Sequence, residues 1–487
     1  MNGRRATGAS PLQTEGALQE VELQEVEIGD TVEHPQYGRG QIAAIYRNGT
    51  EWMVRFESNL RFRRPRHEFS GQQEIPMSLT SSIIPAVAPM SHTQFEARQL
   101  VEALRMGIAP AQQIQELTIG LVDERTRLTS GLKQAHQQGG AAYAVVGDYG
   151  FGKSHIVELV AQEALARNFL VAPISLDLLE LPAHRAFDIY AGLMRTLRYP
   201  DNDDPGLATL LQKARVMPTL AHQLRDLAAV DPDPLAVALA ALDSTSSTRG
   251  RAAWIAWLMG GRRVKAMNQS MPRGVKLPSI YKVGNNARQI TYLLSGMSVL
   301  ARLAGYNGLC LLIDEAESYS LLSATQRAKA DLFFSALIAA TEDEQQTKIQ
   351  TEQLPQHRWH SYPLRYSDRQ SLFFLFTVTR SDNRMPLEAW LAPEQILELD
   401  SQHSPQEIGQ FLQQVMLYHA QAYGYTVGER QGQIRRGAAE HLALGSRADR
   451  LSVRGVVRLA VELFDLLYLY PDYDATTLLD ELRSHLR

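Results

Sequence analysis

The chain has 487 residues, 45% of them hydrophobic and 21% charged, with a formal net charge of −4. That length suits about three domains, and the charge balance excludes a global pull toward nucleic acid or a membrane surface, so any such contact must come from a local patch. One cysteine, Cys310, excludes an internal disulfide and any multi-cysteine metal site. No apolar run approaches the roughly 18 residues of a membrane span. Arg4 and Arg5 are followed by no apolar stretch, so no secretory leader is expected and a cytoplasmic location is.

Residues 1–18 are small and polar, the composition of a disordered tail. From Val21 the texture changes. A strand with a break spans 21–28, Gly29-Asp30 marks a turn, and Gly38 and Gly40 flank another turn before a strand over 41–46. Asn48-Gly49 is a hairpin signal, and Trp52, Val54 and Phe56 alternate after it. Three or four short strands in this span predict a small β-barrel or curled sheet over residues 19–70. Arg61, Arg63, Arg64 and Arg66, interleaved with Phe62 and Phe69, form the one concentrated basic run. It reads equally as a DNA phosphate-contacting edge or as a solvated strand end. Residues 71–92, rich in Ser, Pro and Gln, predict a linker.

Phe95, Leu100, Val101, Leu104 and Met106 then predict an amphipathic helix ending at Gly107, and a second helix follows the Thr118-Ile119-Gly120 turn over 123–136. Residues 141–146 read as a short buried strand. It runs into Gly147-Asp148-Tyr149-Gly150-Phe151-Gly152-Lys153-Ser154, which fills every fixed position of the phosphate-binding pattern G-x-x-x-x-G-K-[ST]. Ile156, Val157, Leu159 and Val160 recur after it at helical spacing, continuing through His155. Strand, glycine loop and helix N-terminus direct backbone N–H groups and the helix dipole at an anion. Further strands are predicted at 169–176, 308–315 and 372–379, with a mostly helical stretch over 185–303, a polar loop over 342–370 and helices from 404 to the end. The alternation argues an α/β domain over 93–400 with a parallel sheet and a helical insertion near 200–300, followed by a helical lid over 401–487.

Mg-nucleotide hydrolysis needs few side chains. The loop amides and Lys153 hold the β- and γ-phosphates, and Ser154 ligates Mg²⁺. Asp314, at the end of an apolar strand, completes the metal shell, and Glu315 directly after it orients the attacking water. Thr379 ends the third strand and is placed to contact the γ-phosphate, although Thr377, two residues back on the same face, is not separable from it. Arg454, near the start of a helix over 453–467, reaches the nucleotide or is an ordinary surface arginine. His357 and His360 lack the companions of a metal site.

Two resemblances add to this reading. Gly29-Asp30-Thr31-Val32-Glu33-His34-Pro35-Gln36-Tyr37-Gly38-Arg39-Gly40 resembles the opening of the Tudor/SH3-like modules of CarD-type transcription regulators. The constellation from Thr118-Ile119-Gly120 with Asp123-Glu124, through the phosphate loop and Ile313-Asp314-Glu315-Ala316-Glu317, to Thr379 and Arg454 resembles AAA+ P-loop ATPases near the Orc/Cdc6-like and STAND-type branches. Within that class, Leu100-Val101-Glu102-Ala103-Leu104-Arg105-Met106-Gly107-Ile108-Ala109-Pro110, Val146-Gly147-Asp148-Tyr149-Gly150 and Gly305-Tyr306-Asn307-Gly308-Leu309 are similar to the ATP-binding proteins of bacterial BREX phage-defence islands, of BrxD-like type. The resemblance implies ATP and Mg²⁺ as cofactors, Thr379 as sensor 1, Arg454 as sensor 2, and Ile119-Gly120 beside the adenine. It also implies defence-system partners such as helicases, and a homo-oligomer.

The sequence departs from a compact AAA+ core in two respects. Lys153 and Asp314 are 161 positions apart (314 − 153), which requires the helical insertion. No motif fixes an arginine finger among Arg365, Arg369 and Arg380. The expected function is ATP binding and hydrolysis in a prokaryotic defence or DNA-transaction complex. The alternatives are an ATP-controlled conformational switch without turnover, and a transcription- or replication-coupled DNA-binding factor.

Overall fold

The structure, a computed structural model, describes residues 28–34, 38–46, 51–56, 61–65, 90–217, 219–262, 264–267, 287–342, 347–356, 361–380, 385–400, 402–447, 451–472, 474 and 477–479. The chain divides into two units, Met1–Pro89 and Met90–Arg487.

In the first unit, β1 (Thr31–His34), β2 (Gly38–Tyr46), β3 (Glu51–Phe56) and β4 (Arg61–Pro65) form an antiparallel sheet in sequential order. The alternation at Trp52, Val54 and Phe56 turns these side chains to one face, where Val32 and Ile42 join them. A register irregularity between Ile42 and Ala44 lets β2 bend against β3. The strand pairing with β2 on this side is Thr31–His34, which lies between the two turns read in the sequence. The strand expected over 21–28 lies outside the described residues except for Ile28, as do the tail over 1–18 and the linker up to 89. Arg61, Arg63 and Arg64 fall on β4, but the side chains of the basic run, and Arg66 altogether, lie outside the described residues.

The second unit contains α1 (His92–Arg105), α2 (Val122–Gln138), β5 (Gly140–Gly147), α3 (Lys153–Ala166) and β6 (Leu170–Ser175). Between β6 and the next strand come α4 (Ala186–Arg195), α5 (Leu207–Arg215), α6 (Leu220–Leu227), α7 (Pro234–Ser244), α8 (Thr248–Leu258) and α9 (Ala287–Leu303). Then follow β7 (Leu309–Asp314), α10 (Ala324–Thr341), β8 (Leu372–Thr379), α11 (Leu387–Trp390), β9 (Ile396–Glu398), α12 (Pro405–Tyr423), α13 (Glu429–Arg447) and α14 (Val453–Leu469). Helix α1 starts inside the stretch read as linker, where the Ser91 side chain accepts from Gln94 N.

Five parallel strands run in the order β6-β7-β8-β5-β9. Every residue of β5 and β8 is buried, the reason both read as continuous apolar runs rather than as alternating strands. Ala141, Tyr143 and Val145 face the core formed with α2 and α3, while Ala142, Ala144 and Val146 face the other core, shared with α9, α10 and the inserted helices. Beyond α3 and β6, the span between Lys153 and Asp314 is taken up by this inserted layer. Its joint with the sheet includes Asp233, which caps α7 through Ala236 N (2.7 Å) and accepts from Tyr292 Oη (2.9 Å) and Tyr366 Oη (2.8 Å). Burial raises that carboxyl above the usual range.

A third core of this unit joins α12, α13 and α14. Helix α1, which the sequence reading placed with the α/β core, packs instead into this lid through Ala97, Leu100, Val101 and Leu104, together with Leu117 and Ile119. An apolar stripe states that a helix has a partner without stating which one. Polar ties reinforce the contact, with Arg98 Nε donating to Ala422 O (2.9 Å) and Arg105 pairing with Asp465.

Candidate active site

The sheet register assembles the site. Gly147 at the end of β5 lies opposite Thr379 of β8, and Asp314 of β7 lies opposite Ser175 of β6. Because β8 sits between β5 and β7, its two hydroxyls stand between the glycine loop and the acidic strand end.

The loop turns through Gly150 (φ +83°) and Gly152 (φ +92°), which caps α3. These left-handed conformations favour glycine. At Gly150 a Cβ would also meet Ser452 Cβ and Oγ at 3.0 Å, so the loop closes directly on the N-cap of α14. Lys153 is buried, and its ammonium folds back to Gly147 O (3.1 Å), Asp148 O (3.3 Å) and Thr379 Oγ1 (2.9 Å). Ser154, the next residue of α3, is exposed. Phe151 packs against the α2–α3 core, fixing the loop from below.

At the neighbouring strand end, Thr377 Oγ1 donates to Asp314 Oδ1 (2.5 Å) and accepts from Glu315 N (3.0 Å). Glu315 N also donates to Asp314 Oδ1 (3.0 Å). Glu315 itself has φ +58°, a conformation that costs a non-glycine residue about 1–2 kcal/mol. Its carboxylate accepts from Ser175 Oγ at 2.8 Å. The ambiguity between Thr377 and Thr379 therefore resolves into two positions: Thr379 meets Lys153, and Thr377 holds Asp314 and the Glu315 backbone.

Beside these groups lies a cavity of about 400 Å³, within the range of small-molecule sites. It is lined by the loop from Tyr149 to His155, by Glu315, and by Ile114, Leu117, Ile119, Val457 and His403. Asp314 and Thr379 do not line it, but are bonded or adjacent to Glu315 and Lys153, which do. Gly120 (φ +64°) turns close to His403, and a Cβ there would come within 3.0 Å of Glu407 Oε1 and 3.4 Å of His403 Nδ1. Arg454 closes one side: it donates to Tyr149 Oη (2.6 Å), and its guanidinium lies 5.1 Å from the ring centroid. Its own N–H donates to Gly150 O (3.2 Å).

His155 contacts Thr118 Oγ1 through Nε2 at 2.8 Å. Thr118 spends its hydroxyl proton on Ile114 O (2.6 Å), so it must accept, which assigns the imidazole proton to Nε2. Burial pushes the His155 pKa down to about 4, keeping it neutral. The pair ties α3 to the segment over 114–121.

The three arginines left open by the sequence separate clearly. Arg365 bonds the carbonyls of Ala340 and Glu342, and Arg365 and Arg369 both precede β8, at the end of the strands opposite the loop. Arg380 lies near the loop but is engaged within the chain, 3.9 Å from Asp148 and 3.2 Å from Glu398. Sequence reasoning missed Ser175, His403 and Tyr149 as a partner of Arg454. Ser175 is visible only once β6 is known to pair with β7. His357 and His360 lie outside the described residues, among which no cluster of metal-binding side chains occurs.

A parallel sheet in which β8 separates the glycine-loop strand from the strand ending in Asp314-Glu315, under a helical lid, defines a P-loop α/β fold of AAA+-like topology. Residues 93–214 match the family model of the BREX system ATP-binding protein BrxC/D. The matched span holds α1, the phosphate loop and α3, and ends before Asp314, Thr379 and Arg454. No curated protein matches the chain.

Proposed function

We propose that this chain binds ATP against the loop over 147–154 and hydrolyses it in a BREX-type defence complex. The observation that carries the reading is the convergence of Lys153, Thr379, Asp314 and Glu315 beside one cavity, at the C-terminal ends of β5, β7 and β8. Lys153 rests on two neutral carbonyls and a hydroxyl. A triphosphate offers the ammonium anionic oxygens instead, a stronger pairing. Thr379, released by that movement, is left beside the γ-phosphate position. Glu315 accepts the proton of the attacking water, and its fixed backbone sets the direction of its carboxylate. Ser154 and Asp314 would hold Mg²⁺, which when bound neutralises charge on the β- and γ-phosphates. The donor set fits: Thr377 and Glu315 N occupy Oδ1 of Asp314, and Oδ2 has no hydrogen bond among the described residues. Arg454 bridges loop and lid, so lid closure and phosphate binding act on the same side chain.

Arg380 is already paired, so the cation completing the transition state comes from another subunit or a partner protein. Phosphate release per protomer that rises with protein concentration supports this, whereas a flat rate favours a conformational switch with little turnover. Glu315→Gln should abolish release while retaining ATP binding; release unchanged in that variant removes the assignment. Through Arg61, Arg63, Arg64 and Arg66 the first unit contacts DNA phosphates, which predicts a salt-sensitive duplex shift lost on reversing the Arg63 and Arg64 charges.

A further inference from the structure

The inserted layer carries a charge imbalance that neither the nucleotide site nor the first unit uses. Residues 244–313 contain ten arginines and lysines and no aspartate or glutamate, where the chain's 53 acids in 487 residues would place about eight. Arg263, Arg273, Lys276 and Lys282 of that span lie outside the described residues. Arg288 is buried on the carbonyls of Leu354, Tyr362 and Thr351, and Arg302 donates to Arg369 O (3.0 Å). The other four, Arg249, Arg251, Arg262 and Lys265, gather around α8.

Helix α8 turns Gly250, Trp254, Trp257 and Leu258 into the core at helical spacing. Its outward face carries Arg249, Ala252 and Ala256, all exposed. The short turn Lys265–Met267 folds back on the start of the helix, where a Cβ on Gly250 would lie 3.7 Å from Ala266 O. This brings the exposed Lys265 to the same end of α8 as Arg249 and Arg251. Arg251 donates from Nη1 to Thr245 O and Ser246 O (both 3.1 Å), which fixes its guanidinium without neutralising it. Arg262, also exposed, follows the other end of the helix, about 16 Å away at 1.5 Å per residue.

Neither Arg249 nor Lys265 has an ion pair among the described residues. Helices α4, α5 and α7, packed against α8, hold two carboxylates, and both are already answered. Asp188 pairs with Arg185 (3.6 Å), and Arg215 is the charge acting on Asp243. A surface built for a protein partner sets aromatic or large apolar side chains among its charges. On α8 no large apolar residue is exposed. Spaced cations, low side chains between them and no opposing carboxylate suit a row of phosphates instead. We infer that the α8 surface, through Arg249, Arg251, Lys265 and Arg262, tracks the phosphate backbone of a nucleic acid without reading its sequence. Its length corresponds to roughly five phosphates of one strand at 3.4 Å each. It shares no residue with the basic run over 61–66 or with the nucleotide cavity.

The test is fluorescence anisotropy of labelled duplex DNA, single-stranded DNA and poly-glutamate of equal charge, titrated with the full chain over a range of KCl. Arg63→Glu and Arg64→Glu are present throughout, so that the first unit's proposed contact is removed. The logarithm of duplex affinity should fall with the logarithm of salt at a slope of about −3.6, which is 0.9 for each of four contacts. Arg249→Gln with Lys265→Gln should reduce the slope to about −1.8, and Arg262→Gln alone should reduce it to about −2.7. Arg302→Gln, an equal loss of charge on α9, should leave it unchanged. Tighter binding of the single strand, at about 0.7 per contact, with the same variants losing it, upholds the surface and names the single strand as its ligand. Should the double variant melt below its parent, Arg262→Gln decides alone. Absence of binding to either nucleic acid, a slope unchanged in these variants, or poly-glutamate bound as tightly as the duplex overturns the inference.

Discussion

Replacing Thr377 with valine preserves shape and removes one hydroxyl, which makes it the sharpest probe of how the acidic strand end is held. Thr377 is fully buried on β8. Its hydroxyl makes a bond to the Asp314 carboxylate, worth about 1.5–3 kcal/mol, and accepts one from Glu315 N, worth about 0.5–1.5 kcal/mol. The valine methyl recovers up to about 0.8 kcal/mol of apolar burial, and Glu315 N keeps its bond to Asp314. The net loss is about 2 kcal/mol, a drop of a few degrees in the melting temperature of the nucleotide-free protein. The lost bond also frees the carboxylate, so the Mg²⁺ concentration needed for half-maximal ATP binding should rise. Thr379→Val is the control. There Lys153 keeps the Gly147 and Asp148 carbonyls, so the melting temperature should move less while phosphate release falls. Thermal unfolding and a Mg²⁺ titration of ATP binding measure both. If Thr377→Val melts with the wild type and shows the same Mg²⁺ midpoint, the hydroxyl bridge does not organise Asp314.

Three further outcomes are expected. Glu315→Gly should resist urea better than Glu315→Ala by about 1 kcal/mol, because only glycine relieves the positive φ, although both variants stop turnover. Equal urea midpoints would show that the backbone there is unstrained. Gly150→Ala places a Cβ against Ser452 in a left-handed turn, so ATP affinity should fall by about ten-fold or more, read by equilibrium dialysis; unchanged affinity would mean that the lid does not close on this turn. His155 has a folded pKa near 4, below its unfolded value near 6.5, so it contributes stability that is present above pH 6.5 and lost as the pH falls toward 4. Urea midpoints of His155→Gln relative to wild type should therefore converge across that window. A constant difference refutes the burial of a neutral imidazole, since His184, His403 and the carboxylates are common to both proteins.

The parts of the site that were legible in the sequence are those whose chemistry and backbone geometry coincide. Gly150, Gly152 and Lys153 are demanded both by the turn and by an anion, and the apolar runs ending in Asp314-Glu315 and Thr379 are demanded by strands buried on both faces. The lid's first helix was also marked locally, by Ser404, Pro405 and Glu407 at its start and Gly424 at its end. What stayed hidden depends on contacts between segments distant in sequence. Ser175 is an unremarkable strand-end serine until β6 lies beside β7, and Thr377 cannot be told from Thr379 until the neighbours of β8 are known. Strand β9 has three residues and pairs with β5, too short to show a period. The partner of α1 was hidden for a related reason: its stripe fits either the sheet or the lid, and packing alone chose.

That choice has a mechanical consequence. The polypeptide enters this unit through α1 and reaches its last described helices in α13 and α14, so one helical clasp is fastened from both directions of the chain. The cavity lies along the seam between the clasp and the sheet, with His403, Val457 and Arg454 on one border and Lys153 and Glu315 on the other. A nucleotide in that seam bonds the two bodies together, and by linkage whatever holds the clasp shut must raise nucleotide affinity by the same factor. A protein gripping α1 or α13 need never touch the phosphate loop to govern it.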